Sequence, residues 1–487
     1  MPSDAVIAVD VGTTATKAIV FDPERGTLAE GERPVVLTSA HPGWAEEDPE
    51  SWSTNVLELI LEVPAAAGTA TVRAIAVTGM VPALICLDEH GRPLRNSIQQ
   101  NDARADRQID VLRAEFDPAG VLRRTGSGIT QQSIGPKVAW LRDHEPEVLR
   151  DTAAICGSYD YIARRLTGRP TPVEANWALE SGLYDFRAGA WAEDICRACG
   201  VDANWLGSVV PPGAIVGAMG EIPVIAGGAD HVAGALAAGV SRPGDVVIEL
   251  GGAGNILAFS SQAVTDERLY LDYHLVPGAW LPNGCMATTG SLVRWFQREL
   301  AAGTPLGQLD AEAEAAGPGA GGLVLTPYFL GEKTPVNDPL ARGTLIGLHL
   351  GHQRGHVFRA VLEATAYGFR HHVDVLRELG IAADRISLTG GGAASALWRQ
   401  IIADVLGLPV LWRRQRSGAA IGVALAAGIA IGAIDSWDQA GRLAGNGELI
   451  EPRAELAGLH DQGYGVYRSV YLATVEQQHA LGRFGRR

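Results

Sequence analysis

Two glycine-tipped hairpin patterns, one at the start of each half, constrain the fold of this chain more than any other feature. In the first, the apolar run 6–9 leads into Asp10-Val11-Gly12-Thr13-Thr14, and a second strand-like run begins at Lys17. In the other half, residues 245–250 lead into Gly251-Gly252-Ala253-Gly254 and a further apolar run. Strand-like and helix-like segments alternate between them, which predicts an α/β architecture. We expect two halves of related structure.

The length of the chain agrees with two large domains. It has 487 residues, 47% of them hydrophobic, whereas single hydrophobic cores stop growing near about 300 residues. The segment Val240-Ser241-Arg242-Pro243-Gly244 is a plausible hinge. We therefore predict one domain over residues 1–240 and a second over residues 241–487.

The charge of the chain argues against polyanionic partners. Asp and Glu number 55 against 40 Lys and Arg, a net charge of -15, which repels nucleic acid and anionic membrane surfaces. The start lacks the basic segment of a signal peptide, so we expect a cytoplasmic protein. The uncharged run 418–434 is rich in Gly and Ala and shorter than a membrane span, so we expect a buried helix.

The hairpin tips suggest a phosphate site. A phosphate can approach the backbone N–H groups closely at Gly12, because glycine has no side chain. Two hydroxyls follow at Thr13 and Thr14, and Asp10 would hold Mg²⁺ through water. An ordinary Asp/Gly turn is the alternative for one tip alone. Two such tips facing each other would form a nucleotide site.

A carboxylate lies between a predicted strand and helix in Gly227-Gly228-Ala229-Asp230-His231. Asp230 is either the N-cap of that helix or an active-site base, because catalytic groups of α/β sheets cluster just beyond the carboxyl ends of strands. The two interpretations are compatible.

A third glycine segment leaves an alternative open. Gly390-Gly391-Gly392-Ala393 separates a strand from a helix at 396–406, for which Ser395 is the expected cap, and a strand at 409–412 follows. Such a loop could bind a dinucleotide, and Arg413-Arg414 would then lie where the 2′-phosphate of NADP is bound. This alternative would make the protein an NADP-dependent oxidoreductase. The spacing differs from the usual G-x-G-x-x-G.

Longer motifs resemble the FGGY family of carbohydrate kinases over nearly the full chain. Residues 7–22 resemble the first phosphate motif of that family, and Asn101-Asp102-Ala103-Arg104 resembles its sugar-binding N-D-x-R sequence. Residues 343–363 fit its second signature throughout.

The resemblance implies two actin-like (ribonuclease H-like) ATPase domains flanking a catalytic cleft, the first holding the sugar and the second the nucleotide. It implies transfer of the γ-phosphoryl group of ATP, with Mg²⁺, to a primary hydroxyl of a small ketose or polyol, pentulose-type before others. Asp230 would be the catalytic base, and Asp10 and Asp230 would hold the metal. The sugar residues implied are Met80, Asn101, Asp102 and Asp230, and the nucleotide residues are Gly12, Thr13, Thr14, Lys17, Gly251, Gly252, Ala253, Gly390, Gly391, Gly392 and Ala393.

Departures from the family pattern bear on substrate and function. Gly252-Ala253 stands where most members carry a hydroxyl residue, and Gly79-Met80-Val81-Pro82 lacks the histidine of xylulose kinases, which usually also have Trp at the position of Gln100. D-Xylulose is therefore not assured as the substrate. A non-catalytic sugar- or nucleotide-sensing module stays open as an alternative. A homodimer is compatible with the sequence, which does not fix the oligomeric state.

Overall fold

The computed structural model describes residues 4–68, 71–413, 418–443 and 447–484. Strands and helices alternate along these residues, which confirms the α/β prediction. Among them there is no helix with the length and apolar character needed to cross a membrane. The predicted 2′-phosphate residue Arg414 lies outside the described residues.

The element bounds are as follows. The strands are β1 (Asp4–Val11), β2 (Ala15–Asp22), β3 (Gly26–Pro34), β4 (Glu46–Glu47), β5 (Thr71–Gly79), β6 (Ile85–Leu87), β7 (Ser97–Ile98), β8 (Ala154–Cys156), β9 (Val173–Glu174), β10 (Tyr184–Asp185), β11 (Ala190–Trp191), β12 (Val209–Val210), β13 (Ile215–Met219), β14 (Ile222–Ala229), β15 (Gly244–Leu250), β16 (Gly254–Ala258), β17 (Tyr270–Tyr273), β18 (Trp280–Met286), β19 (Val324–Thr326), β20 (Thr344–Ile346), β21 (Ala383–Thr389), β22 (Val410–Trp412) and β23 (Glu448–Ile450). The helices are α1 (Pro49–Ala67), α2 (Asp106–Glu115), α3 (Pro118–Thr125), α4 (Ile134–His144), α5 (Pro146–Asp151), α6 (Ser158–Thr167), α7 (Ala175–Glu180), α8 (Glu193–Cys199), α9 (Asp230–Ala237), α10 (Gly290–Trp295), α11 (Leu306–Ala316), α12 (Arg354–Glu378), α13 (Ala396–Leu406), α14 (Gly418–Ala430), α15 (Trp437–Leu443) and α16 (Ala457–Phe484).

The chain forms two compact units. The first comprises the described parts of Met1–Ser241, Ser261–Leu281 and Ser417–Ala444, and the second those of Arg242–Ser260, Pro282–Arg416 and Gly445–Arg487. A single boundary near residue 240 therefore does not describe the two later segments that belong to the first unit. One of them carries α14, the predicted buried helix, because this helix packs against α9, β1 and β5.

The sheet of the first unit has the strand order β13-β14-β5-β1-β2-β3. The predicted hairpin of β1 and β2 is confirmed, and β1 and β14 both run parallel to β5. Successive residues of β1 are buried instead of alternate ones, as in strands covered on both faces. The helices α1 and α14 pack on this part of the sheet.

The second unit contains strands in the order β18-β16-β15-β21-β22-β23. The predicted hairpin of β15 and β16 is confirmed, with β21 parallel to β15 and β22 parallel to β21. The predicted cap of α13 is also confirmed: the Ser395 side chain accepts a hydrogen bond from the Trp398 N–H, and the left-handed Gly407 ends the helix.

Candidate active site

One edge of the first sheet collects the predicted catalytic residues of the first unit. The registers pair Val11 with Gly79 and Gly79 with Ala229, so β1, β5 and β14 end side by side. Because carboxyl ends of parallel strands share an edge, Met80 and Asp230, which follow two of these strands, lie beside the tip of the first hairpin. Residues distant in sequence are thus brought together by strand register.

The first hairpin tip has an open backbone and two exposed hydroxyl residues. The Gly12 N–H donates to the Ala15 carbonyl at 3.2 Å, and Thr13 and Thr14 are exposed. Lys17 faces Asp10 across the hairpin register. The tip therefore presents two hydroxyls, backbone groups and the Lys17 ammonium next to the Asp10 carboxylate.

Asp10 is buried at the end of β1, and its environment opposes ionisation. Burial raises the pKa of its carboxyl to about 7, with repulsion from Asp230 adding to the rise and attraction by Lys17 opposing it. Among the described residues, its Oδ1 has no hydrogen-bond partner. A carboxylate with an oxygen unused by the protein suits Mg²⁺, which prefers oxygen ligands. The residues present therefore fit the predicted metal.

Asp230 begins α9 and is partly open to solvent. Its side chain is 38% exposed, and its Oδ1 accepts a hydrogen bond of 2.7 Å from the His231 N–H. The interpretation of Asp230 as the N-cap is wrong, because Ala229 holds that position without a side-chain bond. A partly exposed carboxylate at the start of a helix is placed to accept a proton from a bound molecule.

A cluster next to Asp230 was missed by sequence reasoning. The His231 Nε2 lies 3.0 Å from the Asp272 Oδ2 and 3.8 Å from the Glu180 Oε1. Burial alone would lower the pKa of His231, but the surrounding carboxylates, Asp272 foremost, raise that pKa well above its ordinary value. The pKa of Glu180 is raised by burial and then by repulsion from Asp272. No local pattern marks Asp272 or Glu180, because only β17 and the end of α7 bring them to His231.

The predicted sugar residues Asn101 and Asp102 precede α2 in the first unit. Asn101 is exposed, whereas Asp102 is buried and accepts hydrogen bonds from the Ala45 N–H at 2.6 Å and the Arg104 guanidinium at 2.7 and 2.8 Å. Burial would raise the pKa of Asp102, but these bonds and the Arg104 charge lower it overall. Asp102 is thus an anchored carboxylate, and a sugar contact by either residue stays a prediction.

In the second unit the two remaining glycine segments are neighbours. Thr289 and Ser291 donate their N–H groups to the Gly252 carbonyl, both at 3.0 Å, and this fixes the tip Gly251–Ala253 beside α10. Gly390 has φ of +86° and lies against Leu250, where a Cβ would be 2.8 Å from the backbone. Residues Gly391–Ala394 then form a 3₁₀ turn before α13. The structure brings together the two predicted nucleotide-binding segments that belong to the second unit.

Family models agree with this arrangement. The N-terminal domain of the FGGY family of carbohydrate kinases matches residues 5–237, and the C-terminal domain of the same family matches residues 252–431. These matches overturn the oxidoreductase alternative and favour an enzyme over a sensing module.

Similar proteins cover almost the whole chain. A xylulose kinase from Bacillus subtilis is 28% identical over 98% of this chain and 99% of its own length. The crystal structure of xylulose kinase from Rhodospirillum rubrum is 43% identical, with a TM-score of 0.93 over 98% of this chain and 100% of that one. Plasmodium falciparum glycerol kinase with ADP, 20% identical, has a TM-score of 0.89 over 98% of both chains and shares the fold.

These matches confirm the prediction of an actin-like ATPase fold. One family model matches the N-terminal part of the chain and a second matches the C-terminal part. The chain belongs to the FGGY family of carbohydrate kinases and is a phosphotransferase.

Proposed function

We propose that this enzyme transfers the γ-phosphoryl group of ATP to a primary hydroxyl of a small ketose or polyol, pentulose-type before other acceptors, with Asp230 as general base. The observation that carries this proposal is the placement of the partly exposed Asp230 beside the buried Asp10 at the carboxyl edge of β1, β5 and β14. The edge combines a proton acceptor with a metal-binding carboxylate and open backbone.

The chemistry requires little beyond positioning. An oxygen of the acceptor hydroxyl forms a bond to the γ-phosphorus, the bond from that phosphorus to the bridging oxygen of ADP breaks, and the hydroxyl proton passes to the Asp230 carboxylate. When bound, Mg²⁺ neutralises charge on the phosphates. Asp10 and Asp230 would hold it, and the hairpin backbone at Gly12 would contact a phosphate.

The relatives support this acceptor class. The 43% identical structure is a xylulose kinase, and a gluconokinase from Bacillus licheniformis is 26% identical over 93% of this chain. Because Pro82 stands where xylulose kinases have histidine, pentuloses other than D-xylulose belong in the test. A cytoplasmic location and a homodimer stay predictions.

The test is ADP release with Mg²⁺ and ATP across tetritols, pentitols, pentuloses, hexuloses and gluconate. We expect a pentulose to give the highest kcat/KM. Asp230→Ala should lower kcat by at least 10³-fold while the midpoint of thermal unfolding stays within about 2 °C. Asp106→Ala is the matched control, because Asp106 is also the first residue of a helix in the first unit and is exposed.

Two results would contradict the proposal. Near-normal turnover by Asp230→Ala would remove the assigned base. Binding of ATP and a sugar by the folded wild-type protein, without ADP release from any acceptor, would instead favour the sensing module.

A further inference from the structure

Arg399, near the start of α13, reaches back to the 3₁₀ turn Gly391–Ala394 that precedes this helix. Its Nη1 donates to the Ala393 carbonyl at 2.8 Å and to the Ala394 carbonyl at 3.3 Å. Three of the four residues of this turn are predicted to bind nucleotide, and the side chain of Arg399 is only 7% exposed. The second unit therefore buries a cation whose N–H groups bind the backbone of a predicted ligand segment.

The same guanidinium also contacts two strands of the second unit. Its Nη2 donates to the Glu448 Oε2 on β23 at 3.1 Å, and its carbon lies 3.9 Å from the centroid of the Trp412 ring on β22. These two strands pair with each other, and β22 pairs with β21, which leads into the turn. Because a planar guanidinium can donate several hydrogen bonds and stack at the same time, one side chain connects the turn to these strands.

These contacts hold the end of the turn and leave its beginning open. A Cβ at Gly391 would meet nothing within 4 Å, so a ligand can approach the backbone there. The preceding Gly390 is held against the backbone of Leu250, where a Cβ would be 2.8 Å away. The segment is therefore fixed on both sides of its open part. A binding segment that is already held in one conformation loses less conformational freedom when the ligand binds.

A purely architectural role, in which Arg399 only fastens α13, is the competing explanation. The helix has a second arginine anchor: Arg453, which follows β23, donates to the Asp404 Oδ2 from Nη2 at 2.6 Å and from Nε at 3.1 Å. Asp404 lies near the C-terminal end of α13, whereas the turn precedes the N-terminal end. The two arginines therefore fasten the same helix, but Arg399 does so through the carbonyls of the turn.

We infer that Arg399 is a positioning residue for nucleotide binding: its guanidinium holds the Ala393 and Ala394 carbonyls and thereby fixes the turn Gly391–Ala394 in the conformation that binds ATP and ADP. This inference rests on the proposed function and on the predicted contact of this turn with the nucleotide. Arg399 acts through the turn and does not contact the reacting atoms.

The experiment combines calorimetric titration with ADP and steady-state kinetics on variants of the full chain. We expect Arg399→Ala to raise the Kd of ADP and the KM of ATP about tenfold, while kcat stays within about threefold and the KM of the acceptor within about twofold of wild type. Arg399→Met keeps an unbranched apolar stem beside Trp412 but donates no hydrogen bond, so it should show the same loss. Arg399→Lys should recover about a threefold part of the loss, because an ammonium can still donate to a carbonyl.

Arg453→Ala is the matched control, because it removes the other arginine anchor of α13 and leaves the contacts of Arg399 in place. It should lower the midpoint of thermal unfolding but keep the Kd of ADP within about twofold of wild type. If Arg453→Ala bound ADP as weakly as Arg399→Ala, any loosening of α13 would weaken binding, and the inference would be overturned. If Arg399→Ala does not fold, Arg399→Met and Arg399→Lys supply the comparison.

ADP binding separates this inference from the proposed function, because it requires neither an acceptor nor turnover. Wild-type ADP affinity in both Arg399→Ala and Arg399→Met, beside weakened binding by Gly390→Ala, would overturn only the inference. Unchanged ADP affinity in folded Gly390→Ala would show that the nucleotide does not bind at this segment, and the inference would fail with that placement. Weakened ADP binding by the Arg399 variants, with no ADP release by wild type from any acceptor, would contradict the proposed function and support the inference.

Discussion

The guanidinium carbon of Arg104 lies 3.8 Å from the centroid of the Trp44 ring, so the cation is stacked on an indole within the first unit. The same guanidinium binds the buried carboxylate of Asp102 at 2.7 Å, and its side chain has no exposed surface. Arg104 is therefore the group that makes burial of Asp102 tolerable, because a buried carboxylate needs a charged or hydrogen-bonded partner.

Removal of Arg104 should destabilise the protein strongly. Arg104→Ala leaves Asp102 buried without its cation, and breaking such a pair costs about 3 to 5 kcal/mol. Arg104→Lys should recover only part, because an ammonium cannot bind both oxygens of Asp102 and stack on Trp44 equally well. Chemical denaturation monitored by tryptophan fluorescence measures the change.

Arg107→Ala is the matched control for this prediction, because Arg107 is exposed on α2 three residues further along the chain. It should change the free energy of unfolding by less than about 0.5 kcal/mol. Equal effects of the Arg104 and Arg107 variants would contradict the assigned role.

The free energy of unfolding should fall as the pH decreases from 6.5 towards 4, because buried histidines must then take up protons. Burial lowers the pKa of His274 from its usual 6.5 to about 4, although a hydrogen bond with the Val240 carbonyl opposes the shift. Between these two pH values the unfolded chain binds a proton at His274 that the folded chain does not bind. The contribution of His274 to the free energy of unfolding is therefore fully present above pH 6.5 and is lost as the pH falls towards 4. The shift corresponds to about 3 kcal/mol for this group.

The measurement is thermal unfolding at pH 7.0, 6.0 and 5.0 for wild type, His274→Gln and His90→Gln. His372 and His460 also have pKa values lowered to about 4, so the wild type combines several such groups. His274→Gln should make the pH dependence shallower, while His90→Gln, at an exposed position, should leave it unchanged. If the unfolding midpoint of His274→Gln depended on pH as steeply as that of wild type, the conclusion that His274 is buried in its neutral form would be contradicted.

Helix α14 should tolerate no side chain at Gly422. A Cβ there would overlap with the backbone oxygen of Ala233 on α9, the helix that begins with Asp230. Gly422→Ala should therefore separate the two helices, destabilise the protein by about 1 to 3 kcal/mol and lower kcat by displacing the start of α9. Thermal unfolding and kcat report the two effects.

Gly234→Ala supplies the opposite case on the same helix pair. Gly234 is inside α9, and a Cβ there would meet nothing within 4 Å. Its replacement should be neutral or stabilising by up to about 1 kcal/mol, because alanine favours helix. Destabilisation by both variants to the same extent would show that close packing is not the cause.

Gly390 should be irreplaceable in the second unit. Its φ of +86° and ψ of 168° lie in a region that is open to glycine almost alone, and a Cβ would press on the Leu250 backbone. Gly390→Ala should lower the free energy of unfolding by at least about 2 kcal/mol and weaken ATP binding, measured by calorimetry.

The neighbouring Gly391→Ala is the control for stability, because a Cβ at Gly391 has open space around it and the backbone has no positive φ. It should stay within about 0.5 kcal/mol of wild type. A Gly390→Ala protein as stable as Gly391→Ala would contradict the close approach of the glycine segment to β15.

The sequence by itself determined the local structure and the family. Apolar runs separated by glycine tips specify both hairpins, and Ser395 and Gly407 specify the limits of α13, because strand pairing across a tight turn and helix capping involve residues near one another in the chain. Motif spacing identified Asp10 and Asp230 as candidate site residues before any tertiary contact was known.

Only the tertiary structure decided which distant residues share an environment. The register of β1, β5 and β14 places Asp10, Met80 and Asp230 at one edge, and packing assigns α14 to the first unit. The same holds for Asp272, which contacts His231 from a strand 41 residues further along. Hydrophobic burial that closes long loops fixes such contacts, and no short-range pattern in the sequence records them.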